Sequence, residues 1–131
     1  MYLIDTNIWL ERFLDQARAE EVSYFLGRVP SERLFITDFA FHSIGVVLSK
    51  LNRKDALLKF VQDAFIDGAV SVIHLGPEDI QLVVRIMEQL NLDFDDAYQY
   101  SAAEKYNLTT VSFDSDFDRT PRGRKTPAEI K

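Results

Sequence analysis

A chain of 131 residues fits a single domain over positions 1–131 and is long enough to bury a real core. Hydrophobic residues make up 47% and aromatic residues 12%, which excludes a disordered chain, and the lack of cysteine excludes disulfides and thiolate metal sites. The net charge of −6 argues against broad, charge-driven nucleic-acid binding, although Arg119, Arg122, Arg124, Lys125 and Lys131 give an acidic body a short basic tail.

The run "YLI" (2–4) reads as a buried strand that ends at Asp5, and "TNIWLERFL" begins a helix. A second helix is predicted over 15–28, with Ala17, Val22, Phe25 and Leu26 as its apolar stripe. Pro30 and Ser31 mark a turn before a second strand, "LFIT" (34–37). Asp38 is the expected cap of a helix from Phe39 to about Leu51. That helix is apolar on most sides, through Phe39, Phe41, Ile44, Val47, Leu48 and Leu51. An amphipathic helix is predicted over 53–68, stopped by Gly68, followed by a third strand, "AVSVIHL" (69–75). Gly76 and Pro77 open a helix through Leu90. Asp95 is the expected cap of the next, over 96–106, which Asn107 ends in a left-handed conformation. "TTVSF" (109–113) is the fourth strand, and residues 114–131 read mainly as loop.

Strands that alternate with helices predict an α/β fold: three α/β/α layers, with a small, mainly parallel β-sheet flanked by helices. No apolar run approaches the roughly 18–20 residues of a membrane span. The N-terminus lacks the basic and small-residue features of a secretory signal, so a cytoplasmic protein without membrane contact is expected.

In parallel sheets functional groups gather beyond the C-terminal strand ends. Asp5 follows the first strand, and Asp114 and Asp116 follow the fourth. Asp96 begins the helix that feeds the fourth strand, so all four carboxylates are expected at one edge. Crowded carboxylates raise each other's pKa, and a divalent cation relieves the repulsion. Oxygen ligands without Cys or His favour Mg²⁺ or Mn²⁺. The plainer alternative is that Asp5 and Asp96 only cap helices and that Asp116 and Asp118 are ordinary loop acids.

Competing motifs fail. In "DSDFDRTPRGRK", Arg119 replaces the glycine of a calcium-binding EF-hand loop and Lys125 replaces its last glutamate. A haloacid-dehalogenase pattern would carry its acid pair near the N-terminus. There is no glycine-rich phosphate loop, nucleophile elbow or Cys nucleophile, and His42 and His74 read as packed or surface residues.

"YLIDTNIWL", "FDDAYQYSAAEKYNL" and "TVSFDSDF" together resemble, over nearly the whole chain, the three acidic motifs of PIN domains. These are small α/β nucleases, many of them VapC-type toxins of toxin–antitoxin pairs. The resemblance implies a metal-dependent ribonuclease that leaves 5′-phosphate and 3′-hydroxyl ends, with Asp5, Asp96, Asp114 and Asp116 as catalytic and metal-holding acids. Asn7 and Ser112 would orient them, and Arg119 and Arg122 are candidates for phosphate contact, or else part of a solvated tail. RNA is the implied substrate, an antitoxin protein a partner, and a homodimer the expected assembly. The surplus of aromatic residues (Trp9, Phe13, Phe39, Phe41 and Phe65) points to the same assembly, the alternative being that they fill the core.

One departure stands out. PIN nucleases carry a Glu in the helix after the second strand, whereas here Ser43, or neighbouring His42, occupies that region. With one acid fewer, Asp95, Asp118 or His42 would have to compensate. Otherwise the chain is a degenerate PIN domain that binds protein or RNA without cutting.

Overall fold

A computed structural model describes residues 1–131. Four parallel strands, β1 (Tyr2–Ile4), β2 (Leu34–Thr37), β3 (Ser71–Ile73) and β4 (Thr109–Val111), form one sheet in the order β3-β2-β1-β4. Tyr2 pairs with Leu34 on one side and Thr109 on the other, and Phe35 pairs with Ser71. The helices are α1 (Thr6–Phe13), α2 (Ala19–Arg28), α3 (Asp38–Lys50), α4 (Lys54–Val61), α5 (Ile80–Leu90) and α6 (Phe94–Tyr106).

Alternation along the strands sends side chains to two separate cores. Ile4, Leu34, Ile36 and Val111 pack with α1 to α4, while Leu3 and Ile73 pack with α5 and α6. The result is the three-layer α/β/α arrangement expected from the sequence. After β1 the chain steps outward through β2 to β3, then crosses back over the other face to place β4 beside β1. That reversal makes the C-terminal ends of β1 and β4 the topological switch point, where such sheets bind ligands. No helix is long and apolar enough to cross a membrane.

Several boundaries differ from the sequence reading, each for a local reason. Helix α2 starts at Ala19 because Asp15 takes a positive φ of 52° after α1 ends. The helix expected through 68 is α4 followed by a wider turn over Gln62–Ile66, where the Asp67 N–H reaches back to the Gln62 carbonyl. Gly68 ends it because a Cβ there would lie 2.7 Å from the carbonyl oxygens of Asp63 and Ala64. Strand β3 is shorter than 69–75. The Val70 N–H turns to Ala64, and the Leu75 N–H is taken by the Tyr98 hydroxyl at 3.0 Å. Pro77–Asp79 forms a 3₁₀ turn before α5. Asn107 is left-handed as expected, with φ 53°. The C-terminal segment is less loop-like than expected. It holds short 3₁₀ turns at Ser115–Arg119 and Pro127–Glu129, and Lys125 bridges to Val111 beside β4.

The aromatic surplus is largely absorbed. Trp9 and Phe13 are buried in the core, and Phe39 and Phe65 are half-buried, so of the five only Phe41 is exposed. Val46 and Leu58, on α3 and α4, extend the apolar surface around it.

Candidate active site

Strands β1 and β4 converge on Asp5. Its own N–H continues the ladder to the Val111 carbonyl at 3.0 Å, which fixes its backbone against the end of β4. Its side chain is almost fully buried and accepts four hydrogen bonds. Oδ1 takes the Thr6 N–H at 2.8 Å and Gln99 Nε2 at 3.2 Å; Oδ2 takes the Ser112 hydroxyl at 2.7 Å and Asn7 Nδ2 at 3.4 Å. Asp5 therefore caps α1 and also ties β1 to β4 and α6. Burial pushes its carboxyl pKa up. Hydrogen bonds from Ser112, Thr6 and Gln99 oppose that rise, and the Asp114 charge adds to it.

Asn7 and Ser112 both bond to Asp5 Oδ2. The Ser112 hydroxyl donates to Asp5 and accepts from Asn7 Nδ2 at 3.2 Å and from the Asp114 N–H at 2.9 Å, which uses its full bonding capacity. Asn7 Oδ1 accepts the Phe113 N–H at 3.1 Å. These bonds set the direction in which Asp114 leaves β4. Asp114 then caps the 115–119 turn, its Oδ1 accepting the Asp116 N–H at 2.9 Å.

Helix α6 starts two residues earlier than expected. Asp93, not Asp95, is its cap, with Oδ1 accepting the Asp96 N–H at 3.0 Å. The cap role being filled by Asp93, the Asp96 side chain is free to face the other acids. Likewise Thr37, not Asp38, caps α3 by accepting the Ala40 N–H at 2.9 Å.

Asp96, Asp114 and Asp116 each bring a carboxylate oxygen within 4.8 Å of the other two. Asp5 lies outside that compact trio. It lines a cleft of about 380 Å³ together with Asp95, Asp96, Gln99 and Asp114. Burial, followed by the charges of Asp114, Asp93 and Asp5, raises the Asp96 pKa to about 7. An octahedral Mg²⁺ sets its ligand oxygens about 3–4 Å apart, so small side-chain rotations would let the trio close on one. Oxygen-only donors and mutual repulsion thus fit a hard divalent cation.

Ser43 lines the same cleft, whereas His42 is exposed and borders neighbouring grooves with Phe41. Asp118 pairs with Arg124 at 2.9 Å, outside the trio. Of the three residues considered as substitutes for the missing Glu, only Asp95 reaches the cleft. Arg119 contacts Asp116 at 3.2 Å and the Asn91 carbonyl at 2.6 Å. Arg122 is not brought to the acids. It donates to Asn107 and to the Leu108 carbonyl, at the opposite end of β4.

Sequence reasoning missed Gln99. This buried residue donates to Asp5, and its Oε1 accepts from the Thr37 hydroxyl at 2.5 Å, so one side chain on α6 links the C-terminal ends of β1 and β2. The only signal was a polar residue three positions after Asp96 on an otherwise small and apolar helix face.

The PIN domain family model matches residues 2–123. A search of curated proteins finds no significant match. Among solved structures, a toxin–antitoxin complex from Klebsiella pneumoniae superimposes with a TM-score of 0.78 at 21% identity, covering 99% of this chain and 100% of the other. FitAcB from Neisseria gonorrhoeae gives 0.80 at 17% identity, covering 99% and 100%. VapC20 from Mycobacterium tuberculosis, a sarcin–ricin loop-cleaving toxin, gives 0.78 at 15% identity, covering 92% and 95%. With the family match spanning almost the entire chain and the acids of all three motifs gathered at the switch point, this protein belongs to the PIN-domain family.

Proposed function

We propose that the chain is an endoribonuclease dependent on Mg²⁺ or Mn²⁺ that works as one domain. The observation that carries this reading is the trio of Asp96, Asp114 and Asp116, with oxygens within 4.8 Å of one another at a sheet edge built to bind ligands. These three would hold the cation. When bound, it supplies positive charge to the phosphodiester oxygens and acidity to the attacking water. Asp5 contributes a buried negative charge beside the trio. Asn7, Ser112 and Gln99 hold that charge in place and fix the exit of Asp114 from the sheet. Arg119 steadies Asp116 from outside the cleft.

Relatives of this fold include a toxin–antitoxin complex and a sarcin–ricin loop-cleaving toxin, which supports a toxin role for this chain with an antitoxin as partner; a homodimer is the assembly we propose with it. The Phe41, Val46 and Leu58 surface is the candidate contact for such assembly.

The test is cleavage of single-stranded RNA by the purified chain with Mn²⁺, with EDTA, and with Asp114→Asn. Cleavage with Mn²⁺ that leaves 5′-phosphate ends and is lost in the other two conditions is expected. Equal cleavage in all three, or none in any, overturns the reading.

The neutral Ser43 in the cleft favours a second reading, a binding module without catalysis. That module would bind RNA or an antitoxin while showing no Mn²⁺ heat at millimolar metal in calorimetry.

A further inference from the structure

Three aromatic rings lie together beside the acidic cleft, and one of them, Phe39, forms part of its wall. Tyr98 and Phe39 have centroids 5.4 Å apart, Phe94 and Tyr98 6.1 Å, and Phe39 and Phe94 6.3 Å. They are graded in exposure. Tyr98 is buried, and its hydroxyl is held by Asp38 at 2.7 Å and the Leu75 N–H at 3.0 Å. Phe39 is half-buried and lines the cleft alongside Asp96 and Asp114. Phe94 rests on both and is 40% exposed. It is the first residue of α6, directly before Asp95 and Asp96, so the same cap that sets the acids also sets its ring.

Single exposed apolar residues are ordinary on protein surfaces. This one differs because its neighbour Phe39 also forms the cleft wall. Phe39 further borders the adjoining groove formed with Asp38, Phe41, His42 and Tyr98. A strand leaving the acids toward that groove therefore passes Phe39, the ring on which Phe94 rests.

Charge points the same way. Four acids and no basic side chain line the cleft, and Arg119 is committed to Asp116 and to the carbonyls of Leu90 and Asn91. Apart from the cation, nothing in the cleft attracts a polyanion, so contacts that ignore charge add to its affinity. Base stacking on an aromatic ring is such a contact, and it needs an unpaired base.

We infer that Phe94, backed by Phe39 and Tyr98, is a stacking platform for an unpaired nucleobase next to the cleaved phosphate. This inference rests on the ribonuclease reading and names the substrate feature which that site selects.

The test combines variants of Phe94 with RNA oligonucleotides carrying one abasic nucleotide on either side of the cleavage position. Phe94→Ala is expected to raise KM about 10-fold with kcat within about 2-fold, as loss of one stacked base does. Phe94→Trp restores KM, and Phe94→Leu, which keeps an apolar side chain on the fold, does not. One abasic position costs the native protein about 10-fold and costs Phe94→Ala nothing further. Rescue by Phe94→Leu overturns the platform, as does an abasic penalty that multiplies with that of Phe94→Ala; both assign Phe94 to a protein contact or to packing. If the native chain cleaves RNA and Phe94→Ala matches it, the platform alone falls. If the native chain cleaves no RNA with Mn²⁺, the ribonuclease reading falls and the platform with it.

Discussion

The cleft has two unlike walls. On one, α6 and the turn after β4 bring Asp95, Asp96 and Asp114, with Asp116 alongside and Asp5 at the base. On the other, α3 presents Phe39, Ser43 and Val47, spaced four residues apart on a single helical face and free of charge. The difference lies in how charge is stabilised. The acidic wall is built of backbone N–H groups and polar side chains already aimed at carboxylates. Asp5 has four donors, Asp114 is anchored by its own turn, and Asp96 sits at a helix N-terminus. The α3 wall offers no such support. Electrostatic work is thus concentrated in one compact trio, and the opposite wall is left for shape.

The severest way to break this comparison is to remove a member of the acidic wall. Asp114→Asn or Asp96→Asn is expected to lower Mn²⁺-dependent RNA cleavage by at least ~100-fold, since each takes away an oxygen that would touch the cation. Asp5→Asn should also abolish cleavage, and full activity in that variant would remove Asp5 from the mechanism.

A milder change attacks the support and leaves the acids in place. Gln99→Ala leaves the Thr37 hydroxyl and one side of Asp5 without their partner. It is expected to cost about 1–3 kcal/mol of stability and ~10–100-fold in metal affinity, read by urea unfolding and Mn²⁺ calorimetry. Unchanged metal affinity would show that the trio needs no help from α6's buried face.

The neutral wall can be tested by adding charge to it. Ser43→Glu puts a carboxylate back into the cleft and is expected to tighten Mn²⁺ binding ~10-fold. Weaker binding would mean that α3 stands too far from the trio to share an ion.

The smallest effect concerns pH. In the unfolded chain Asp96 titrates near 3.8; in the folded protein burial and its acidic neighbours raise this to about 7. Between those values only the folded state keeps the proton, so its contribution to stability is complete below 3.8 and lost as pH rises through about 7. Asp96 is half exposed and solvent screens it, so a Tm fall of only a few degrees from pH 5 to pH 8 is expected in EDTA. Asp96→Asn should flatten that slope, and Mn²⁺ should offset it at pH 8. A native Tm that rises over the same range would contradict the sign.

The strands and the convergence of acids could be read from the sequence because both follow from the strand–helix alternation and the rule of strand ends. What could not be read was which of several adjacent aspartates caps a helix. "NLDFDD" offers three candidates one or two residues apart, and the choice of Asp93 depends on how the chain leaves α5 through the left-handed Asn91. The division of labour between Asp5 and the trio was hidden for a similar reason. It depends on Gln99, a long-range partner that no local pattern announces. Arg122 follows Arg119 closely in sequence, yet the chain turns back between them and carries it to the far end of β4, a placement set by long-range bonds.

Diffraction from a crystal soaked in Mn²⁺ bears most directly on the central claim. The expected result is an anomalous peak about 2 Å from carboxylate oxygens of Asp96, Asp114 and Asp116, with Asp5 still held by Ser112 and Gln99. A fully soaked crystal with no peak between these residues, or with their side chains turned apart, would contradict it.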